Sequence, residues 1–184
     1  MEYLESIGTN IDKIASFDVV NHKLLEEVSK TGKPVIMSVG MSNLAEIENA
    51  FNILKKDTNN IAILHCISSY QTQEEKSNLS NIYEIQKKFN CIVGQSDHTN
   101  DIKVPIYAAA AGAQILETHY KIDEDVDCID SPVSITEIQM KKLVDEIRKL
   151  EEIFGAESFE VKEKPLVIVA GCVAQAENEG MIKR

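Results

Sequence analysis

Two segments of the sequence each combine an apolar run with a histidine near its end. The first, CIVGQSDHT (residues 91–99), leads to His98, and the second, ILETHY (residues 115–120), leads to His119. If the two runs are neighbouring parallel strands, both imidazoles lie at the same end of one sheet, about 4.8 Å apart at the backbone. Two converging imidazoles are suited to a divalent metal such as Mn, Fe, Co or Zn. The alternative is a pair of hydrogen-bonded structural histidines.

Acidic residues accompany both histidines. Asp97 directly precedes His98, and Glu117 lies two positions before His119. Each carboxylate is a candidate oxygen ligand for a metal, or a hydrogen-bond partner that orients an imidazole. The run Ser96-Asp97-His98 cannot act as a catalytic triad, because successive residues of a strand point to opposite faces.

A lysine and three serines form a second group of candidates. Lys13 lies within the apolar run IDKIASF, where an unpaired ammonium would be costly to bury. It therefore binds a phosphate or carboxylate, or pairs with an acid of the core. Ser16, Ser38 and Ser96 each stand near the end of an apolar run. Each serine either caps its strand or contacts a ligand, and three of them around Lys13 would form an anion-binding cradle.

Two polar loops complete the set of candidate residues. HCISSYQT (residues 65–72) places the hydroxyl groups of Ser68 and Tyr70 after an apolar run, although the same letters are also typical of an ordinary polar loop. CIDSP (residues 128–132) contains Asp130, which is either a solvated turn residue or an acceptor for a sugar hydroxyl.

Strand-like and helix-like segments alternate along the chain and would position these residues. Alternation at this spacing predicts βαβ units and a parallel sheet. Strands are predicted at residues 11–17, 34–39, 61–67, 91–93 and 114–117. Between the strands, apolar residues recur at helical spacing in three stripes: Leu24, Leu25 and Val28; Leu44, Ile47, Phe51 and Leu54; and Leu79, Ile82 and Ile85. Ser42 is the predicted N-cap of the second of these helices, and the alanine-rich residues 102–113 predict a fourth helix. The last helix contains Ile138, Val144, Ile147 and Leu150, begins at a Ser134/Glu137 capping box and ends at Gly155.

An open doubly wound sheet and a (β/α)8 TIM barrel both fit this alternation. Polar clusters follow all five apolar runs, which favours the barrel, because a barrel gathers its site from the carboxyl ends of all strands. An open sheet concentrates its site at one switch point. A barrel needs eight strands and about 250 residues, so we expect a partial barrel made of the last five βα units, with three units missing before Met1.

Composition restricts the class of protein. The 184 residues are 43% hydrophobic and 27% charged, with a net charge of -11. This charge argues against a nucleic-acid or anionic membrane surface as partner. No apolar run reaches the roughly 20 residues needed to span a bilayer. The four cysteines form no CxxC pair and there is no targeting pattern, so a reducing cytoplasm is the expected compartment.

The blocks KIASFD, TGKPVIMSVGM, ILHCISSYQT, GQSDHT and ILETHY, in this order and spacing, resemble the sialic acid synthase family. The family includes the N-acetylneuraminate, legionaminate and pseudaminate synthases, and the similarity covers about residues 8–155. It implies a (β/α)8 barrel that condenses phosphoenolpyruvate with an N-acyl hexosamine such as N-acetylmannosamine. The products are a nonulosonic acid and phosphate, and the cofactor is a divalent metal, Mn or Mg.

The resemblance implies a role for each candidate residue. His98 and His119 correspond to metal ligands. Lys13, Ser16, Ser38 and Ser96 correspond to phosphoenolpyruvate-binding positions, and Ser68, Tyr70 and Asp130 to the sugar site. Asp18 and Glu117 correspond to catalytic acids, Asp18 near the place of a carboxylate credited with acid/base work.

The end of the chain has a different character. We divide the chain into residues 1–155, the partial barrel, and residues 156–184, a strand–helix tail. Residues 164–184 resemble a short piece of the radical-SAM tRNA methylthiotransferases, but Cys172 has no neighbouring cysteines with which to bind a cluster. A partial barrel predicts either a synthase that a further segment completes, or a non-catalytic binding or assembly subunit. Its open strand edges predict self-association.

Overall fold

The computed structural model describes Tyr3, residues 6–122 and 128–155, and the backbone of residues 166–170. One parallel sheet of seven strands organises these residues. The strands are β1 (Asp12–Ile14), β2 (Val35–Ser38), β3 (Ile61–Cys66), β4 (Ile92–Asp97), β5 (Ile115–Tyr120), β6 (Ser134–Ile135) and β7 (Leu166–Ala170).

Helices connect the strands, as the alternation of the sequence predicts. They are α1 (His22–Ser29), α2 (Leu44–Leu54), α3 (Ser80–Phe89), α4 (Lys103–Ala110) and α5 (Glu137–Phe154). Short 3-10 turns lie at Ser16–Asp18, Glu74–Lys76 and Ser131–Val133. Within the described ranges, each helix is too short or too polar to cross a membrane.

The order of the strands identifies the fold. The first six strands follow one another across the sheet in chain order, without the reversal that marks an open doubly wound sheet. The sheet curls into part of a (β/α)8 barrel, which confirms the predicted fold class. The five predicted strands and the helices between them are present.

The two faces of the sheet have different neighbours. The outer face packs against the helices in the larger core, whose strand residues include Ile14, Val35, Met37, Ile61, Ile63, Val93 and Leu116. The inner face has a smaller cluster made of Ile36, Ala62, Leu64 and Ile115. Burial of each large aliphatic side chain stabilises the fold by about 1.5–3 kcal/mol. The helices therefore hold the sheet from outside, and polar residues of the inner face remain available for a site.

Three strand boundaries differ from the prediction. β1 ends at Ile14 because Ser16–Asp18 turns into a 3-10 helix. β4 continues to Asp97 rather than ending at residue 93, and β5 continues to Tyr120. Ser96, in the extension of β4, keeps a hydrogen-bond partner inside the fold, because its hydroxyl donates to Glu117. The first polar residues after the apolar run therefore did not mark the end of β4.

Two predicted helix caps are one or two residues out of place. Asn43, not Ser42, caps α2, and its side chain accepts from the backbone N–H of Glu46. Thr136 and Gln139 form the capping box of α5, because Ser134 belongs to β6. Gly155 follows the end of α5 as predicted.

Two residues of the predicted apolar stripes face solvent. Ile138 is 82% exposed and Leu44 is 51% exposed. The buried positions of α5 are Leu143 and Ile147.

The strand of the tail adds to the sheet. β7 runs parallel to β5, with Leu166 opposite Ile115 and Ala170 opposite His119. β6 pairs with β5 further along, where Ser134 lies opposite His119. The predicted strand of the tail is thus present, whereas its predicted helix and Cys172 lie outside the described residues.

Candidate active site

The register of the sheet brings the candidate residues of four strands to one face. Lys13 lies opposite Ile36, and Cys66, Ser96 and Glu117 lie side by side on β3, β4 and β5. Because side chains alternate along a strand, Ser38 shares the face of Ile36. This inner face is the one that carries the smaller apolar cluster. The strand ends therefore form a polar floor above an apolar layer.

A chain of polar contacts joins Lys13 to Ser96 across this floor. Lys13 Nζ donates to Ser38 Oγ at 2.8 Å and to the carbonyl oxygen of Ile14 at 3.3 Å. It also lies 3.4 Å from Glu117 Oε2. Ser96 Oγ donates to the other carboxylate oxygen, Oε1, at 2.7 Å. The sequence left two roles open for Lys13, binding an anion or pairing with an acid. In the structure Lys13 pairs with Glu117 and also contacts Ser38 of the predicted serine cradle.

The protons of these hydroxyls are not equally available. A carboxylate only accepts hydrogen bonds, so the Ser96 proton is committed to Glu117. Ser38 accepts from Lys13, and its own proton therefore remains available for a ligand. Ser38 is the better donor to an incoming anion in this arrangement.

The remaining cradle serine, Ser16, contacts the sugar-site candidate Ser68. Their Oγ atoms are 3.1 Å apart, which joins the end of β1 to the loop after β3. Ser68 Oγ also lies 4.0 Å from Cys66 Sγ. Burial raises the pKa of the Cys66 thiol, so this sulfur is a neutral part of the floor.

Gly40, which the sequence reading did not single out, makes this packing possible. A Cβ at Gly40 would collide with Cys66 Sγ and would lie 2.7 Å from Ser68 Oγ and 2.8 Å from the carbonyl oxygen of Cys66. Only a glycine leaves room for the chain after β2 to approach β3 this closely. A glycine directly after an apolar run was the available signal.

Three rings form an aromatic cluster beside the polar floor. The Tyr70 ring stacks on His98, with centroids 4.3 Å apart and planes 28° apart. The His98 and His119 ring centroids are 5.5 Å apart. The Tyr70 hydroxyl lies 3.4 Å from His119 Nε2. The structure thus brings together both histidines and the predicted sugar-site tyrosine.

Hydrogen bonds between two loops hold His98 in place. The His98 Nδ1–H donates to the carbonyl oxygen of Ile67 at 2.7 Å, and the backbone N–H of Thr72 donates to the carbonyl oxygen of His98 at 2.9 Å. The Thr72 hydroxyl donates to the carbonyl oxygen of Ser69 at 2.7 Å. Sequence reasoning missed Thr72, although it lies within the polar loop block.

The His119 side chain is 15% exposed, and its Nε2 makes a long contact with the Tyr70 hydroxyl. Burial lowers the pKa of His119, and the neighbouring His98 lowers it further. Its Nδ1 is buried without a hydrogen bond, because Asp130 Oδ2, at 3.6 Å, is too far away to accept one. The lowered pKa favours the neutral imidazole, which can act as a metal ligand, and the Asp130 side chain lies beside it.

The histidine pair fits a divalent cation as an incomplete ligand set. Because Nδ1 of His98 donates to a backbone carbonyl, the lone pair of the neutral ring lies on Nε2. His119 supplies a second neutral imidazole, one nitrogen of which has no hydrogen-bond partner. No group of three or more His, Cys, Asp or Glu side chains among the described residues is arranged to hold a metal. Any further ligands would be substrate or water oxygens, as in open catalytic sites.

Two acidic candidates lie apart from this network. Asp97 is on the outer face of the sheet, where it accepts from Gln95 Nε2 at 3.0 Å and from the Thr99 hydroxyl at 2.8 Å. It is 1% exposed, and burial raises its pKa. The expectation that it binds metal or orients an imidazole directly is therefore wrong, because strand alternation directs it away from the histidines. Asp18 lies in the 3-10 turn after β1, and its carboxylate contacts no polar partner in the described part of the chain.

Comparisons with known proteins identify the class that this fold and site define. The model of the NeuB family matches residues 1–159, so the chain belongs to the NeuB family. N,N'-diacetyllegionaminic acid synthase of Campylobacter jejuni is 34% identical over 84% of this chain and 47% of its own length. Human N-acetylneuraminate-9-phosphate synthase is 32% identical over 85% of this chain and 44% of its own length.

A solved structure shares the fold and has a higher sequence identity than these two synthases. The N-acetylneuraminic acid synthetase from Leptospira borgpetersenii serovar Hardjo-bovis, in complex with citrate, superposes with a TM-score of 0.83 and 38% identity. The match covers 88% of this chain and 56% of the other. The chain spans about half the length of the curated relatives it matches.

Proposed function

We propose that this site takes part in a sialic acid synthase-type condensation of phosphoenolpyruvate with an N-acyl hexosamine such as N-acetylmannosamine. The observation that carries the proposal is the contact chain Lys13–Ser38 and Lys13–Glu117–Ser96, next to the His98–His119 pair. The oxyanion site would bind a phosphorylated enol substrate. The two adjoining imidazoles would bind the metal that activates an aldehyde. Membership of the NeuB family supports the same chemistry.

The reaction balances with water as the third reactant. The C3 carbon of phosphoenolpyruvate forms a bond to the aldehyde carbon of the open-chain sugar, and the aldehyde oxygen takes up a proton. Water then adds at C2 and phosphate leaves with the C–O bond electrons. The product is a nonulosonic acid. Two acid/base events are needed, and Glu117 and Asp18 are the carboxylates that we assign to them.

The residues of the cradle would bind and orient phosphoenolpyruvate. Lys13 supplies the positive charge, Ser38 a donor proton, and Ser16 a hydroxyl at the open edge of the site. Ser96 would hold Glu117, from which it can turn toward the ligand. Fixed donors of this kind lower the cost of placing an anion next to its reaction partner.

The aromatic cluster would bind the sugar end. Tyr70 presents a ring face and a hydroxyl, Ser68 a second hydroxyl, and Asp130 a carboxylate beside His119. His98 and His119 would hold a divalent cation, Mn rather than Mg, because Mg prefers oxygen ligands. When bound, the cation would supply Lewis-acid activation of the aldehyde.

The test is phosphate release from phosphoenolpyruvate and N-acetylmannosamine in the presence of Mn. We expect turnover that is lost in His119→Ala, with both substrates required. His22→Ala is the matched control, because His22 is exposed at the start of α1. Equal activity of His119→Ala and the unaltered chain would refute the assignment of the site.

A second candidate is a binding or assembly subunit without turnover, which a separate N-terminal segment would complete. The supporting observation is that β1, among the strands described, pairs only with β2 and so has an open edge. An open edge favours association with another chain or copy. Light scattering with thermal melting tests this candidate: a monodisperse monomer that melts cooperatively would argue against association.

A further inference from the structure

The Glu117 carboxylate lies between two residues of the predicted anion cradle, Lys13 and Ser96. Its Oε2 is 3.4 Å from Lys13 Nζ, and its Oε1 accepts from Ser96 Oγ at 2.7 Å. The Glu117 side chain is 14% exposed, whereas that of Lys13 is 36% exposed. Each carboxylate oxygen thus contacts one member of the cradle, as the oxygens of a bound oxyanion would.

We propose that Glu117 is an internal anion that fills the cradle in the free chain, and that an oxyanion ligand binds by displacing it from Lys13. This inference rests on the proposed function in one respect, the assignment of Lys13 and Ser96 to an anion-binding cradle. It adds a means of regulating that site, because the affinity for the anion depends on the cost of releasing Glu117.

The proton count at Lys13 supports displacement. An ammonium has three protons to donate, and three acceptors surround Nζ: Ser38 Oγ at 2.8 Å, the Ile14 carbonyl at 3.3 Å and Glu117 Oε2 at 3.4 Å. A fourth acceptor must replace one of these. Glu117 is the most distant of the three acceptors and carries the same sign of charge as the ligand, so it is the contact that an anion would replace.

The charge balance points the same way. The positive charge of Lys13 and the negative charge of Glu117 cancel at this point of the floor. An anion that binds Lys13 while Glu117 stays in place would face a like charge at close range, in a partly buried setting where screening is weak. Removing the charge of Glu117 should therefore strengthen anion binding rather than weaken it.

The experiment compares two glutamate-to-glutamine variants of the full chain. Glu117→Gln removes the internal anion while keeping its shape and an acceptor for Ser96. Glu74→Gln is the matched control, because Glu74 pairs with Lys103 at 3.2 Å on the exposed surface and its loss changes net charge equally. Inorganic phosphate is the probe, with pyruvate in a second arm, measured by calorimetry at low ionic strength.

We expect Glu117→Gln to bind phosphate or pyruvate at least about tenfold more tightly than the unaltered chain, and Glu74→Gln to stay within about twofold. Equal affinity of Glu117→Gln and the unaltered chain for both probes would overturn the inference, and so would an equal gain in Glu74→Gln. Should circular dichroism show that Glu117→Gln is unfolded, Glu117→Ala replaces it under the same criteria.

The inference and the proposed function can fail separately. If Glu117→Gln binds the probe more tightly but the unaltered chain releases no phosphate from phosphoenolpyruvate and sugar, the internal-anion proposal stands and the synthase assignment fails. If the unaltered chain releases phosphate but Glu117→Gln gains no affinity for the probe, the internal-anion proposal fails and the synthase assignment stands.

Discussion

The His98 Nδ1–H donates a 2.7 Å hydrogen bond to the carbonyl oxygen of Ile67. A carbonyl oxygen can only accept, so this contact assigns a proton to Nδ1, and in the neutral ring the lone pair is then on Nε2. The bond therefore joins the loop after β3 to the end of β4 and also prepares the imidazole as a ligand. Its geometry leads directly to a prediction about metal binding.

We predict that His98→Ala and His119→Ala each weaken Mn binding by at least about tenfold, because each removes one of two imidazole ligands. Electron paramagnetic resonance of unbound Mn measures the effect without relying on turnover. His22→Ala should bind Mn like the unaltered chain, since His22 is exposed at the start of α1. Unchanged binding in both site variants would show that the cation is held elsewhere.

The two cradle serines should differ in their effect on anion binding. Ser38→Ala removes a hydroxyl whose proton is available to a ligand, whereas Ser96→Ala removes one whose proton is committed to Glu117. We expect Ser38→Ala to weaken phosphate binding several-fold, by the roughly 1 kcal/mol of one hydrogen bond, and Ser96→Ala to have a smaller effect. Calorimetry on both variants decides the order, and the reverse order would contradict the proton assignment.

Gly40→Ala should be costly, because its new methyl group would meet Cys66 and Ser68. Overpacking of this kind costs about 1–3 kcal/mol, measured as the free energy of unfolding in urea. Ser68→Ala removes one of the colliding atoms, so the double variant should recover part of that loss. A double-mutant cycle without coupling between the two positions would mean that the chain after β2 shifts as a whole.

The buried histidine outside the site should make stability depend on pH. The His65 Nε2–H donates to the carbonyl oxygen of Ser77 at 2.7 Å, and burial lowers the pKa of His65 below 6.5. The unfolded chain therefore binds this proton more readily, so the free energy of unfolding decreases as the pH falls below about 6.5.

Urea unfolding at about pH 7.5 and about pH 5.5 measures this dependence, at up to roughly 1.4 kcal/mol for each unit of pKa difference. His65→Gln keeps a donor for Ser77 but does not titrate, so the difference between the two pH values should shrink. His22→Gln, on the surface, should leave it unchanged. A His65→Gln variant with the full pH dependence would assign the effect to other groups.

The repeating features of the sequence were sufficient to predict the sheet and its connections. Apolar runs at 34–39 and 61–67 correspond to β2 and β3 almost residue for residue, because a strand covered on both faces needs continuous apolar residues. The barrel class followed from polar residues at the ends of successive strands. Both patterns extend over several residues of the local sequence, so they can be recognised without knowledge of tertiary contacts.

The side-chain directions in the site were harder to predict. Asp97 and Glu117 both accompany a histidine in sequence, yet Glu117 faces the inner floor and Asp97 the outer layer. The register of β4 decides this, and the sequence did not show that β4 runs through Gln95 and Ser96. The roles of Gly40 and Thr72 depend on contacts between loops that are distant in sequence, and no local pattern contains them.

The position of Lys13 on β1 links ligand binding to the opening of an edge strand. β1 has three residues and, in the part of the chain described, a single neighbouring strand, so its local unfolding should require less free energy than that of β3 or β4. An anion held by Lys13 and Ser38 would tie β1 to β2 and suppress this opening by mass action. Part of the binding energy would therefore be used to order the strand. Residues that anchor β1 outside the site, such as buried Asp12 with its 3.0 Å contact to the Thr31 hydroxyl, would then influence affinity without touching the ligand.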